Sequence, residues 1–355
     1  MRVLFFSAAP PPDQPKIREK YRAIAANGVS LVVATPGGTA TTDGSIRFAP
    51  VPVKGSDPAQ LRWHSTTIKR LLSEHRPELV HIEADPDSNL AATVSAIARR
   101  SGIPYALFSW QSFRPSLGLL AARRRRVVLR DAAGVIGGNR IAMSLLADGA
   151  PNAIGAVILP HGVTLPDDRP DPANAEFTMA FAGRLVPERG ADFLIQALGQ
   201  TFGKWRLLMA GTGPEQEAIE ALVARLGLAS RIRWLGGLRD EALATVWREA
   251  DCLILPSRDT PTWVDYHSPL LLEAMGCGLA PVVTRAGCLP DLVGDAGVVV
   301  DTVERLTETL QRWVAAPAEC RVVGAAARQR VLSRYVTETV AATTVAFWRE
   351  VISTG

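Results

Sequence analysis

The sequence predicts an α/β protein of two doubly wound, Rossmann-like domains. Three observations carry that prediction. Short β-branched apolar runs alternate with amphipathic stretches, the pattern of βαβ units closing into parallel sheets. The alternation lapses once, where Pro166, Pro170 and Pro172 stand among Asp167, Asp168 and Asp171 without any hydrophobic period, and then restarts. A length of 355 residues, 47% apolar and 21% charged, supplies two cores of ordinary domain size.

The elements follow in order. In a first domain, residues 1–163, strands are predicted at Val3–Ser7, Ser30–Ala34, Leu79–Ile82, Tyr105–Ser109, Val135–Gly138 and Val157–Leu159. Helices fill the gaps at Ile17–Ala26, Leu61–Ser73, Asn89–Arg100 and Arg140–Ala147. Residues 164–176 read as a linker. In a second domain, residues 177–335, strands are predicted at Thr178–Ala182, Arg206–Ala210, Ile232–Leu235, Cys252–Leu255, Ala280–Thr284 and Val298–Val300. Residues 318–353 form one continuous helical pattern, and 336–355 are expected to pack back on the first domain. A ligand is expected at the carboxyl ends of the strands, in a cleft that the two domains face.

Composition narrows the partners. No apolar stretch approaches the ~18 to 20 residues of a membrane span, and the four apolar residues between Arg2 and Ser7 are too short for a secretory leader, so a cytoplasmic protein is expected. Cys252, Cys277, Cys288 and Cys320 show no CxxC pairing and read as buried free thiols. The net charge of +4 is uneven: +6 up to Glu176 and −2 beyond. Arg123, Arg124, Arg125, Arg126 and Arg130 supply much of the excess; such a run is read as a solvated helix face, with an anionic partner or peripheral contact at the inner membrane face as the sharper reading. No nucleic acid partner is expected.

Chemistry concentrates in the second half. The loop at residues 8–15 lacks the glycines of a dinucleotide fingerprint, which argues against a nicotinamide dehydrogenase. Gly183 lets the backbone turn after a strand, and Arg184 and Arg189 flank the start of a helix at Ala191, so two guanidinium groups can neutralise a diphosphate without a metal. The bland alternative is a surface arginine paired with Glu188. Gly211, Gly213 and Pro214 form a turn whose amides suit an anion, or merely open a helix at Pro214. Ser268 is a candidate N-cap with Pro269 and Leu270 opening the helix, which leaves Asp265 in the loop and Glu273 on the helix. A carboxylate among Leu270, Leu271, Leu272 and Met275 requires a partner: the vicinal hydroxyls of a ribose, or backbone amides. Asp85 and Asp87, near His81 and Glu83, form an Asp-x-Asp read as solvated loop; Trp110 and Trp263 read as packing before sugar stacking, and His161 as a loop residue.

Phe181 to Val300 resembles the nucleotide-binding domain of the retaining glycosyltransferases of family 4, enzymes of GT-B fold. Three ordered motifs carry the resemblance: Gly183, Arg184, Arg189 and Gly190; Gly211, Gly213 and Pro214; then Asp265, Glu273, Ala274, Met275, Cys277 and Gly278. Segments 108–112, 135–139 and 158–163 are similar more loosely, so the likeness spans nearly the whole chain. It departs at Asp265, one methylene shorter than the usual Glu, at His267 and Ser268 in place of an aromatic-glycine pair, and at Arg189 in place of Lys. Gln111 stands where many relatives place a histidine near the reacting sugar, as it does in one branch of the family.

The resemblance implies a retaining, metal-independent hexosyltransferase of the EC 2.4 class, with a nucleoside-diphosphate sugar as co-substrate, no further cofactor, and a glycan, lipid-linked or small-molecule acceptor. It makes Asp265, Arg184, Arg189 and Gln111 the catalytic set. Gly183, Gly211, Gly213, His267, Ser268, Pro269, Leu270 and Glu273 become the donor site. The alternative is a non-catalytic nucleotide-sugar-binding relative or partner subunit.

Overall fold

The computed structural model describes residues 1–8, 15–57, 60–165 and 176–354. They fall into two units, Met1–Gly162 with Thr337–Gly355, and Val163–Val336. Most of the expected linker, and the loop after the first strand, lie outside the described residues.

The first unit runs β1 (Arg2–Ser7), α1 (Pro15–Ala26), β2 (Ser30–Pro36), β3 (Thr41–Asp43), β4 (Ile46–Val51), β5 (Val53–Lys54) and β6 (Arg62–Trp63). It continues with α2 (Ser65–His75), β7 (Leu79–Glu83), α3 (Asn89–Arg100), β8 (Tyr105–Ser109), α4 (Leu119–Arg130), β9 (Gly134–Gly137), α5 (Arg140–Ala147) and β10 (Ile154–Val157). Eight strands make one sheet in the order β10-β9-β8-β7-β1-β2-β4-β3, parallel except for the β3–β4 edge hairpin. The central strands are apolar on both faces because helices cover both. One face packs Leu4, Phe6, Val80 and Leu107 against α2, α3 and α4, and the other packs Val3, Phe5 and Ala106 against α1 and the C-terminal helix. Ser88 and Asn139 cap α3 and α5 by accepting from Ala91 N and Ala142 N.

The second unit runs β11 (Phe177–Ala182), α6 (Ala191–Leu198), β12 (Trp205–Ala210), α7 (Gln216–Arg225), β13 (Ile232–Gly236), α8 (Asp240–Glu249) and β14 (Cys252–Leu255). After these come α9 (Pro269–Gly276), β15 (Ala280–Thr284), α10 (Leu289–Val293), β16 (Val298–Val300), α11 (Val303–Ala315) and α12 (Pro317–Arg334). Its six strands are all parallel, in the order β13-β12-β11-β14-β15-β16, so the order reverses between β11 and β14. The last helix, α13 (Thr337–Thr354), belongs to the first unit: Phe347, Trp348 and Val351 join its core, and Gly134 is small enough to admit them, since a Cβ there meets Val351 at 2.6 Å.

Four local readings of the sequence change. The strand expected at 157–159 lies earlier, at β10, where Ile154 N takes up the β9 ladder. The helix expected from Leu61 begins at Ser65, because Trp63 is buried and pairs with Val53 in a short hairpin. Strands β3 and β4 form an edge hairpin around Gly44 that polar residues concealed. The tail is two helices, broken where Tyr335 O accepts from Val163 N at 2.8 Å.

Candidate active site

In a doubly wound sheet the crevice opens where the strand order reverses, at the carboxyl ends of the strands. In the second unit that point lies between β11 and β14. The ladder of β11 and β12 continues past both strands: Gly183 N donates to Ala210 O at 2.9 Å, Leu185 N to Thr212 O at 3.0 Å, and Glu215 N to Leu185 O at 3.0 Å. This closeness requires glycine. A Cβ on Gly211 would stand 1.8 Å from Gly183 O, and one on Gly213 2.2 Å from Leu185 O. Pro187–Arg189 then makes one 3-10 turn, and Gly190, at φ +66°, starts α6 against Pro256 O.

That turn delivers Arg189 to Asp265, which the loop after β14 supplies. Nη1 of Arg189 donates to Oδ2 of Asp265 at 2.7 Å, and Ser257 Oγ donates to the same oxygen at 3.1 Å. The Asp265 side chain is 2% exposed and that of Arg189 23%. Burial raises the pKa of Asp265, opposed by the Arg189 charge and the Ser257 hydrogen bond. The Arg189 guanidinium also lies 5.1 Å from the Trp263 ring centre. Main chain fixes the acid as well, since Cys288 N donates to Asp265 O at 2.8 Å, while Gly287 N donates to Asp259.

The remaining predicted residues are placed as follows. Arg184 is exposed on the loop that carries Arg189. Glu188 does not take Arg189; its carbonyl accepts from Arg258 N at 2.7 Å, and the Arg258 side chain pairs with Asp192. His267 is held neutral, because burial lowers its pKa to about 4. Ser268 is buried at the N-cap position of α9 without a side-chain cap bond, and Pro269 opens the helix with Leu270. Glu273 is half-buried one turn on, among buried Leu271, Leu272, Ala274 and Met275. Pro214 does not begin the next helix, which starts at Gln216. All four cysteines are buried and free.

Gln111 belongs to a second cluster, at the carboxyl edge of the first unit's sheet. Its Nε2 donates to Asp87 at 3.0 Å, its Oε1 accepts from Arg125, and Arg125 reaches Asp87 at 3.6 Å. Asp85 accepts from Ser109 Oγ. The Asp-x-Asp is therefore bound within the fold instead of solvated. His81 is buried, accepts from Trp348 Nε1 at 3.1 Å, and has its pKa lowered to about 3 by burial, while Glu83 pairs with Lys20 at 2.6 Å. Trp110 packs edge-on to Phe108 over Gly138. Sequence reasoning missed Ser257 and Arg125. The switch-point rule points to Ser257, two residues beyond β14, whereas Arg125 was hidden in a run of like charges.

Known proteins resemble this chain in sequence and in fold. Residues 14–162 match the model of the glycosyl transferase 4-like domain, and residues 167–330 match that of the glycosyl transferases group 1. A GDP-mannose-dependent alpha-(1-6)-phosphatidylinositol monomannoside mannosyltransferase of Mycolicibacterium smegmatis is 28% identical over 293 residues, 76% of either chain. A D-inositol 3-phosphate glycosyltransferase of Segniliparus rotundus is 32% identical over 190 residues, 48% of this chain and 41% of its own. Among solved structures, sucrose-phosphate synthase of Thermosynechococcus elongatus superposes with TM-score 0.68 at 18% identity, covering 100% of both chains. Anabaena HepE in complex with UDP gives 0.70 at 15%, covering 99% of this chain and 100% of its own. The fold is GT-B, with two Rossmann-like domains. With both halves matched in order, the chain belongs to the glycosyl transferases group 1, preceded by the 4-like domain, and is a glycosyltransferase.

Proposed function

We propose that this protein is a retaining, metal-independent hexosyltransferase that moves a sugar from a nucleoside diphosphate to an acceptor hydroxyl. The observation that carries the reading is the β11–β14 switch point, where Arg189 is pinned by Asp265 beside two loops packed backbone to backbone. In the transfer, the bond from the anomeric carbon to the diphosphate breaks, and the acceptor oxygen bonds that carbon on the same face. The acceptor's proton passes to a phosphate oxygen. Arg184 and Arg189 stabilise the charge growing on the diphosphate, the kind of electrostatic contribution commonly largest in catalysis. Glu273 takes the ribose hydroxyls, and the loop from His267 to Leu270 cradles donor with its amides. Asp265, too buried to reach a sugar while it holds Arg189, sets the position of that guanidinium. In the first unit, Gln111 is oriented by Arg125 and Asp87 and offers its amide to a sugar hydroxyl. The M. smegmatis and S. rotundus relatives, named for GDP-mannose and for inositol acceptors, support a hydroxyl on a polyol or a lipid-linked glycan.

The test is nucleotide release from guanosine and uridine diphosphate sugars with such acceptors. Arg184→Ala and Glu273→Gln are each expected to lose at least about 10²-fold in transfer with the fold intact, and a chelator to leave the rate unchanged. Near-normal transfer by both variants overturns the site assignment. One observation favours a second reading, nucleotide-sugar binding without transfer: Asp265, the first acid of the third motif, is buried against Ser257 and Arg189. Donor binding without turnover, across all donors and acceptors, selects it.

A further inference from the structure

Helix α4 carries a surface that the transfer site does not use. Its 12 residues include five arginines and no acid. Val128 and Leu129 are buried, while Arg124 and Arg125 turn back to Asn89, Gln111 and Asp87. The outward stripe is Leu119, 92% exposed, then Arg123, Arg126 and Arg130 at steps of four, three and four, with Leu120, 76% exposed, beside it. Arg130 pairs with Asp131 and exposed Arg114 with Asp148, both at 2.7 Å; among the described residues no acid pairs with Arg123 or Arg126. Beside Leu120 lies a cavity of about 440 Å³ between α3 and α4, lined by Ala92, Ala96, Leu120 and Val127 together with Arg123 and Arg124.

We propose that α4 is the face by which this protein rests on an anionic lipid bilayer. Leu119 and Leu120 enter the acyl boundary, and Arg123 and Arg126 grip lipid phosphates with bidentate hydrogen bonds. Charge and apolarity together select the partner: a polyanion such as RNA satisfies the arginines but leaves both leucines in water, whereas a bilayer takes both. The proposal is independent of the transfer chemistry.

The experiment floats the full chain at 0.1 M salt with vesicles of phosphatidylcholine alone, or with phosphatidylglycerol added. Binding is expected on the anionic vesicles only. Arg123→Glu with Arg126→Glu should lower the bound fraction at least about tenfold, and Leu119→Ser with Leu120→Ser should lower it as well. Arg305→Glu with Arg312→Glu, exposed arginines of α11, should leave it unchanged. All these side chains are exposed, so thermal unfolding and nucleotide release are expected to match the parent. No binding to anionic vesicles, equal loss in the α11 pair, or full binding by the Arg123 and Arg126 variant overturns the proposal. Full binding by the leucine variant overturns the insertion and leaves a polyanion surface.

Discussion

Asp265 and Arg189 form an unequal pair. Removing Arg189 strands a carboxylate that is 2% exposed, whereas removing the Asp265 charge leaves a guanidinium that water already reaches. Arg189→Met is therefore expected to cost about 2–4 kcal/mol and Asp265→Asn about 1 kcal/mol, read from urea unfolding at pH 7. Acid should narrow the difference. Burial holds the folded pKa of Asp265 above its unfolded value, so the native state takes up the proton first. The penalty in Arg189→Met is then fully present above that raised pKa and fades as pH falls toward the ordinary carboxylate range. Equal deficits at pH 7 and at pH 4, beside the ordinary carboxylate value, would refute the argument. Asp265 was visible in the sequence as an acid of the right motif. Its partner stands 76 positions earlier, and only folding brings the two together.

Among elements, the paired loops after β11 and β12 are the most exacting. Gly211→Ala drives a Cβ into Gly183 O and is expected to cost about 1–3 kcal/mol and to weaken donor binding by displacing the loop that carries Arg184 and Arg189. Gly227 is the control: at φ +71° with nothing within 4 Å, its alanine variant meets only backbone strain, about 1–2 kcal/mol, and keeps transfer. Thermal unfolding with donor titration separates the two. The glycines of both loops could be read from the motif spacing because close approach leaves a trace in residue type. Strands β3 and β4 left none: Thr41–Asp43 is an exposed edge, where partner strands decide the conformation more than propensity does. Helix α4 was legible as a helix face rich in arginine, but which arginines fold back on Asn89, Gln111 and Asp87 was not.

At the scale of the whole molecule, each unit buries a neutral histidine, His81 in the first and His267 in the second. Their folded pKa values, about 3 and about 4, lie below the ordinary 6.5. Below pH 6.5 the unfolded chain binds protons that the native state refuses, so stability is full above that pH and is lost as pH falls toward those values. Unfolding midpoints for both units are expected to drop between pH 7 and pH 5, and His267→Gln to flatten the drop in the second unit alone. A midpoint insensitive to pH in that window contradicts it.

The sequence by itself determined that there are two doubly wound domains and which loops of the second carry the closely packed glycines, because hydrophobic period and glycine spacing are local properties of the chain. Tertiary structure decided that α13 completes the first unit, that Arg189 is held by Asp265 and Ser257 instead of Glu188, and that Arg125 supports Gln111 while Arg123 and Arg126 stay outside. Those choices depend on which residues the sheets bring side by side from distant parts of the chain. They depend also on the cost of burying a charge, which makes an interior carboxylate such as Asp265 find a cation.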